Sequence, residues 1–171
     1  MAKSDSFFIR AKVQVDNSTT FQQTTLDLGA YVDALGKSVL RIHNVEWEVA
    51  KATGDPPTAA GDTGTSCAWQ LTTQSQSNML LVSDKSIIAK GQLWARNPDT
   101  SVNAPAQVYT DSVAPQHYTN GYLVATENIY LGGIGESGWT ADDDLTIAII
   151  LECTVESMSQ ASAMALALSQ Q

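Results

Sequence analysis

Leu145-Thr146-Ile147-Ala148-Ile149-Ile150-Leu151-Glu152-Cys153-Thr154-Val155-Glu156 is the stretch whose reading decides the fold. Leu145, Ile147, Ile149, Leu151, Cys153 and Val155 recur with period two, and more polar or smaller residues mostly fill the alternate places. An extended chain points successive side chains to opposite faces, so this run is a strand with one face on a core.

The same period appears near the start of the chain. Phe7, Ile9, Ala11, Val13 and Val15 share one face, and Phe8, Arg10, Lys12 and Gln14 share the other. Asp16-Asn17-Ser18 then reads as a turn. A shorter extended piece runs from Phe21 to Leu28 and stops at Gly29, and 30–36 reads as a helical turn or a loop. From Ser38 to Ala50 the apolar phase changes between Ile42 and Val45, which predicts a bulge or bend near His43-Asn44.

Beyond it, Cys67, Trp69 and Leu71 alternate, and Met79–Val82 and Ile87–Trp94 are further apolar segments. Pro115 argues against a central strand over 109–118. Tyr122–Leu131 reads as one extended piece, followed by Gly132–Gly138 as a flexible turn. Residues 53–66 and 97–108 read as the two longer loops, rich in Gly, Pro, Thr, Asn and Asp. Seven to nine strands with no alternating helices predict an all-β, antiparallel sandwich, a single jelly roll over 1–171 with an arm at 1–6.

The tail differs. Ser157-Met158-Ser159-Gln160 fits a capping box, and Met158, Ala161, Ala165 and Leu168 recur at helical spacing. A short helix over 157–171 is expected, and alone it is marginal in water. It packs either on its own sheet or on a neighbouring subunit. If the chain assembles, its removal is expected to weaken assembly more than folding.

Composition narrows the function. The chain has 171 residues, of which 43% are hydrophobic and only 16% charged, with a net charge of −9. Such a chain buries a core without metals or disulfides. All nine basic residues lie between Lys3 and Arg96, and nine of the 18 acids lie beyond Arg96. Binding nucleic acid by charge needs a basic patch or arm. Only Lys3, Arg10 and Lys12 cluster near one end, which leaves room for a small local contact. Positions 1–20 lack an apolar leader region, and no run approaches 18 apolar residues, so neither a signal peptide nor a membrane span is expected. Cys67 and Cys153 fall in strand-like runs and read as reduced core thiols, with a cross-sheet disulfide as the alternative.

Catalytic signatures are missing. His43 and His117 are the only histidines, and His43 with Glu46 or Glu48 makes a thin metal site. There is no G-x-S-x-G elbow, and the Gly132-Gly133-Ile134-Gly135 run precedes no helix that would hold phosphate. No enzyme activity is expected. Asp142-Asp143-Asp144 reads as a solvated acidic turn, with a Ca²⁺ site as the sharper alternative because hard cations take oxygen ligands. Trp139 lies in a loop-like segment and is the candidate exposed contact, for a partner or a sugar; Trp47, Trp69 and Trp94 read as core.

The stretches Leu35-Gly36-Lys37-Ser38-Val39-Leu40-Arg41-Ile42-His43-Asn44-Val45-Glu46-Trp47 and Ala114-Pro115-Gln116-His117-Tyr118-Thr119-Asn120-Gly121-Tyr122-Leu123-Val124, set in this layout, resemble small single jelly-roll viral capsid proteins. The resemblance implies a virion shell of many identical copies under icosahedral symmetry, assembled in the host cytoplasm, with loops and termini making the contacts. The chain departs from it in having no basic arm, which puts genome binding in doubt. A β-sandwich module for glycans or proteins is the rival reading.

Overall fold

The computed structural model describes residues 4–33, 37–100, 107–140 and 145–170. Nine strands form two antiparallel sheets. They are β1 (Phe7–Gln14), β2 (Gln22–Asp27), β3 (Ser38–Lys51), β4 (Thr63–Thr72), β5 (Ile87–Asn97), β6 (Gln107–Val113), β7 (Tyr122–Val124), β8 (Asn128–Gly135) and β9 (Leu145–Ser157). A single 3₁₀ turn, Pro115–His117, follows β6, and one helix, α1 (Gln160–Ser169), closes the chain order.

One sheet has the order β1-β9-β3-β7 and the other β2-β8-β4-β5-β6. With β6 set aside, the first strand pairs with the last, the second with the seventh, the third with the sixth and the fourth with the fifth. That is one long hairpin rolled into two layers, which is the jelly roll. The additional strand β6 extends only the second sheet, as its edge.

The alternation of the deciding stretch has a direct structural cause. Leu145, Ile147, Ile149 and Leu151 are fully buried between the layers, while Ile150 on the other face is exposed. β9 lies between β1 and β3, so its outer residues still meet cross-strand neighbours. Trp47 of β3 meets Trp69 of β4 across the interior, with ring centroids 5.6 Å apart. The phase change in β3 is a register shift between Ile42 and Asn44, as the sequence predicts.

Four expectations fail on local chemistry. Met79–Val82 is loop rather than strand, because the buried Gln70 side chain takes over its main chain: Nε2 donates to the Asn78 carbonyl (3.0 Å) and Oε1 accepts from the Leu80 N–H (2.7 Å). Tyr122–Leu131 is two strands in different sheets, broken between Val124 and Asn128. The loop expected over 53–66 is shorter, since β4 already begins at Thr63. Finally, Gly132–Gly135 is no turn but the end of β8, where missing side chains admit close neighbours. A Cβ on Gly132 would stand 2.8 Å from Phe21 Cε2, and one on Gly133 would stand 2.6 Å from Ile147 Cδ1.

Candidate assembly surface

α1 begins at Ser159, whose Oγ accepts from the Ser162 N–H (3.2 Å). The cap is therefore two residues later than the expected box at Ser157. Ala163 and Ala167 are buried in a small satellite core with Val39 and Ala125, flanked by Leu123, Met158 and Leu166. Gln170 fastens the far end. Its side-chain Oε1 accepts from the Ala125 N–H (3.0 Å) and its Nε2 donates to the Leu123 carbonyl (2.6 Å). Its own carbonyl accepts from Thr73 Oγ1 (2.9 Å) and Gln74 Nε2 (3.1 Å). The tail is thus stitched to its own domain.

Of the four residues at helical spacing, Met158 is half-buried in that satellite core, whereas Ala161, Ala165 and Leu168 are exposed. Two residues advance a helix by about 200°, so the 161/165 row stands opposite the buried 163/167 row. With no charged residue on α1, both faces are apolar or small, and sequence periodicity cannot choose between them. Met164 joins the outer stripe at i, i+3, i+4, i+7 with Ala161, Ala165 and Leu168, and Leu168 is 68% exposed.

Trp139 is not an exposed contact. It is 5% exposed, forms a bridge with Ala59, and its indole N–H donates to the Ser66 carbonyl (3.2 Å). The segment looks loop-like in sequence because only single bridges hold it. The exposed tryptophan is Trp94, expected in the core but 41% exposed and packed on Tyr109 of β6 at 5.4 Å between centroids. The available signal was phase: Trp94 shares its face with Lys90, Gln92 and Arg96, whereas Leu93 and Ala95 point inward.

Beside this aromatic pair, the loop after β4 holds Leu81 (77% exposed) and Val82 in solvent. Gln70 anchors the loop from below, and Lys90 Nζ donates to the Leu80 carbonyl. Partial burial lowers the Lys90 ammonium below its ordinary pKa.

The remaining candidates are scattered. Asp142, Asp143, Asp144 and Lys3 lie outside the described residues. Among the described residues no group of three or more His, Cys, Asp or Glu side chains converges as a metal site. His43 Nε2 lies 2.9 Å from Thr154 Oγ1, and the Glu46 carboxylate accepts from Asn44 Nδ2 (3.0 Å). Arg10 and Lys12 are exposed on the outer face of β1, with the Arg10 guanidinium 5.9 Å from the Phe8 ring centroid. The strongest ion pair is structural: Arg41 donates through Nε and Nη2 to the two Glu156 carboxylate oxygens at 2.7 and 2.8 Å, and Nη1 donates to the Asn120 carbonyl. The hydrogen bonds and charge of Glu156 raise the Arg41 pKa above its ordinary value. Cys67 and Cys153 are free and buried, as expected of core thiols. Burial pushes both up to about 12. No helix among the described residues is long and apolar enough to cross a membrane.

No family model matches the chain, and no curated protein matches it in sequence. Solved structures with a similar layout include three of viral proteins. Merkel cell polyomavirus VP1 in complex with 3'-sialyllactosamine is 6% identical, with a TM-score of 0.48 over 90% of this chain and 96% of that one. The unassembled KI polyomavirus VP1 pentamer is 9% identical, with a TM-score of 0.44 over 90% and 95%. The structure of Cocksfoot mottle virus gives 10% identity and a TM-score of 0.42 over 93% and 100%. The strand order itself defines a jelly roll, a fold shared by viral capsid, lectin and cupin domains.

Proposed function

We propose that this protein is a structural virion subunit, a capsid protein that self-assembles into an icosahedral shell. One observation carries the reading: a jelly roll whose low-charge surface keeps apolar side chains in water, including at three places. These are the α1 stripe (Ala161, Met164, Ala165, Leu168), the Leu81-Val82 loop and the Trp94–Tyr109 pair. Monomeric proteins seldom keep such patches without a use. Fold alone does not assign function, so the weight rests on these surfaces.

In this reading the partner is the chain itself, the location is the virion, and no residue has a catalytic role. Arg10 and Lys12 supply at most a minor genome contact. Asp142 to Asp144 supply a Ca²⁺ site that joins subunits. Negative-stain microscopy of the purified protein, with and without millimolar Ca²⁺, tests all of this. Uniform closed particles support the shell, and their loss on chelation supports the Ca²⁺ site. Small species alone across protein and salt concentrations overturn the shell.

A second reading, a glycan- or protein-binding module, is favoured specifically by the exposed Trp94–Tyr109 pair with Gln92 and Arg96 on the same face. Aromatic faces stack on sugars while polar neighbours bond their hydroxyls. Glycan-array hits that disappear in Trp94→Ala would establish it, and an array without hits would remove its glycan form.

A further inference from the structure

The two sheets are unequal, and the inequality leaves a step. Trp47 over Trp69 places β3 above β4. In the layer of β3 the next position, above β5 and β6, is filled by β7 only beside Leu40–Ile42. Farther along β3 an open groove of about 440 Å³ takes its place, lined by Trp47, Val49, Leu93, Thr110 and Ser112.

The main chain facing that groove is a strand edge. Gln116 covers its first residue by imitating a strand, with Oε1 accepting from the Val45 N–H (3.1 Å) and Nε2 donating to the Val45 carbonyl (3.1 Å). Lys51 is covered at the other end, its N–H donating to the Asp55 carbonyl (2.9 Å) and its carbonyl accepting from the Gly54 N–H (2.8 Å). Alternate residues of a strand aim their amides the same way, so Trp47 and Val49 present two N–H and two C=O groups to the groove. None of the four has a partner among the described residues.

Across the step, β6 is the matching half. Among the described residues it pairs with β5 alone, so its outer edge also has no strand partner there. Both of its faces meet water: Tyr109 on the outer face is 63% exposed and Val108 on the inner face is 58% exposed. Val108 stands opposite Ala95 and Thr110 opposite Leu93, so their face points into the empty layer.

A step of this kind is self-complementary under a two-fold axis. We propose that two copies of this chain interlock there: the overhanging β6 of each adds as a strand to the free β3 edge of the other. The partner strand's main chain satisfies Trp47 and Val49, Val108 leaves water for the interlayer space, and both exposed edges disappear together. The contact is isologous, because each copy gives β6 and receives β6. Glu48 lines the groove together with Asp111, so the interlocked edges bring carboxylates together and the dimer is strengthened by salt. The inference rests on the assembly reading and names one of its contacts.

The test uses the full chain in sedimentation velocity over a range of concentrations. A dimer is expected as the smallest associated species. Val108→Glu/Thr110→Glu changes two exposed positions, keeps the melting temperature, and is expected to give monomer. Leu168→Glu, on the helix stripe, is expected to keep the dimer while losing particles. Concentration-dependent hydrogen-exchange protection of the Trp47 and Val49 amides in the unaltered protein checks the same contact should the double variant misfold. Dimers or particles that survive Val108→Glu/Thr110→Glu with those amides unprotected overturn the interlock and leave the shell standing. An unaltered protein that stays monomeric under every condition overturns both.

Discussion

Replacing Gln170 with alanine tests whether the tail belongs to the fold. The side chain sits 4% exposed and closes two main-chain groups, the Ala125 N–H and the Leu123 carbonyl. Ala125 is buried, so its amide loses its only partner with no water to replace it; Leu123 is half-buried and recovers part of its loss from solvent. An unsatisfied buried group costs about 1–3 kcal/mol, giving about 2–4 kcal/mol for the pair. For a domain of this size each kcal/mol moves the melting temperature by about 2–4 °C, so a fall of about 5–15 °C is expected by calorimetry. Gln170→Glu keeps an acceptor for Ala125 but turns a carboxylate toward the Leu123 carbonyl. It is expected to be at least as damaging at neutral pH and to recover on acidification, when the carboxyl again has a proton to donate. Leu168→Ala, two residues away on the exposed side, is expected to change stability by less than about 0.5 kcal/mol. A Gln170→Ala protein melting within about 1 °C of the unaltered one would refute the argument, since the buried Ala125 amide cannot lose its partner at that cost. Removal of 157–171 is therefore expected to weaken the fold as well as any assembly.

Gly91→Ala places a methyl 2.8 Å from Cε2 of the buried Trp69 and is expected to cost about 1–3 kcal/mol by denaturant unfolding; a neutral result would mean the indole can shift. Arg41→Met leaves Glu156, whose side chain is 7% exposed, without its bidentate partner. A loss of about 3 kcal/mol is expected at neutral pH, shrinking under acid as the carboxyl protonates, and a pH-independent loss would point to packing instead. Burial holds Cys67 and Cys153 neutral, with folded values about 12 against an ordinary 9.0. Their contribution is complete below the ordinary value and is lost as pH rises through that window. Stability should therefore fall between about pH 9 and 12, and thiol labelling at mildly alkaline pH should track unfolding; rapid labelling of the native protein would contradict it.

The strands were legible wherever one face meets the core and the other meets water. β1, β3 with its bulge, and β9 all follow from period two. Legibility failed where composition and packing part company. The β8 glycines look like a turn, yet they are strand residues because Phe21, Ile147 and Val15 need the space. Leu81 and Val82 look like strand, yet the buried Gln70 amide has claimed the neighbouring main chain. Trp139 and Trp94 exchanged places for related reasons. Two isolated bridges and a hydrogen bond to Ser66 hold the first in place, and β6, hard to see beside Pro115, leaves the second on an outer face. The helix was visible, but its two faces were too alike for periodicity to say which turns outward.

The outer face of the four-stranded sheet bears on genome contact. The register aligns Arg10 with Ile150 and Ile150 with Glu46, and likewise Lys12 with Ala148 and Ala148 with Glu48. Cations therefore occupy one edge and anions the other, two strand spacings away, or roughly 10 Å. That separation is comparable to the Debye length at physiological salt, so a polyanion at Arg10 and Lys12 still feels Glu46 and Glu48. This face is dipolar rather than basic. Such a face attracts a polyanion less than Arg10 and Lys12 alone would.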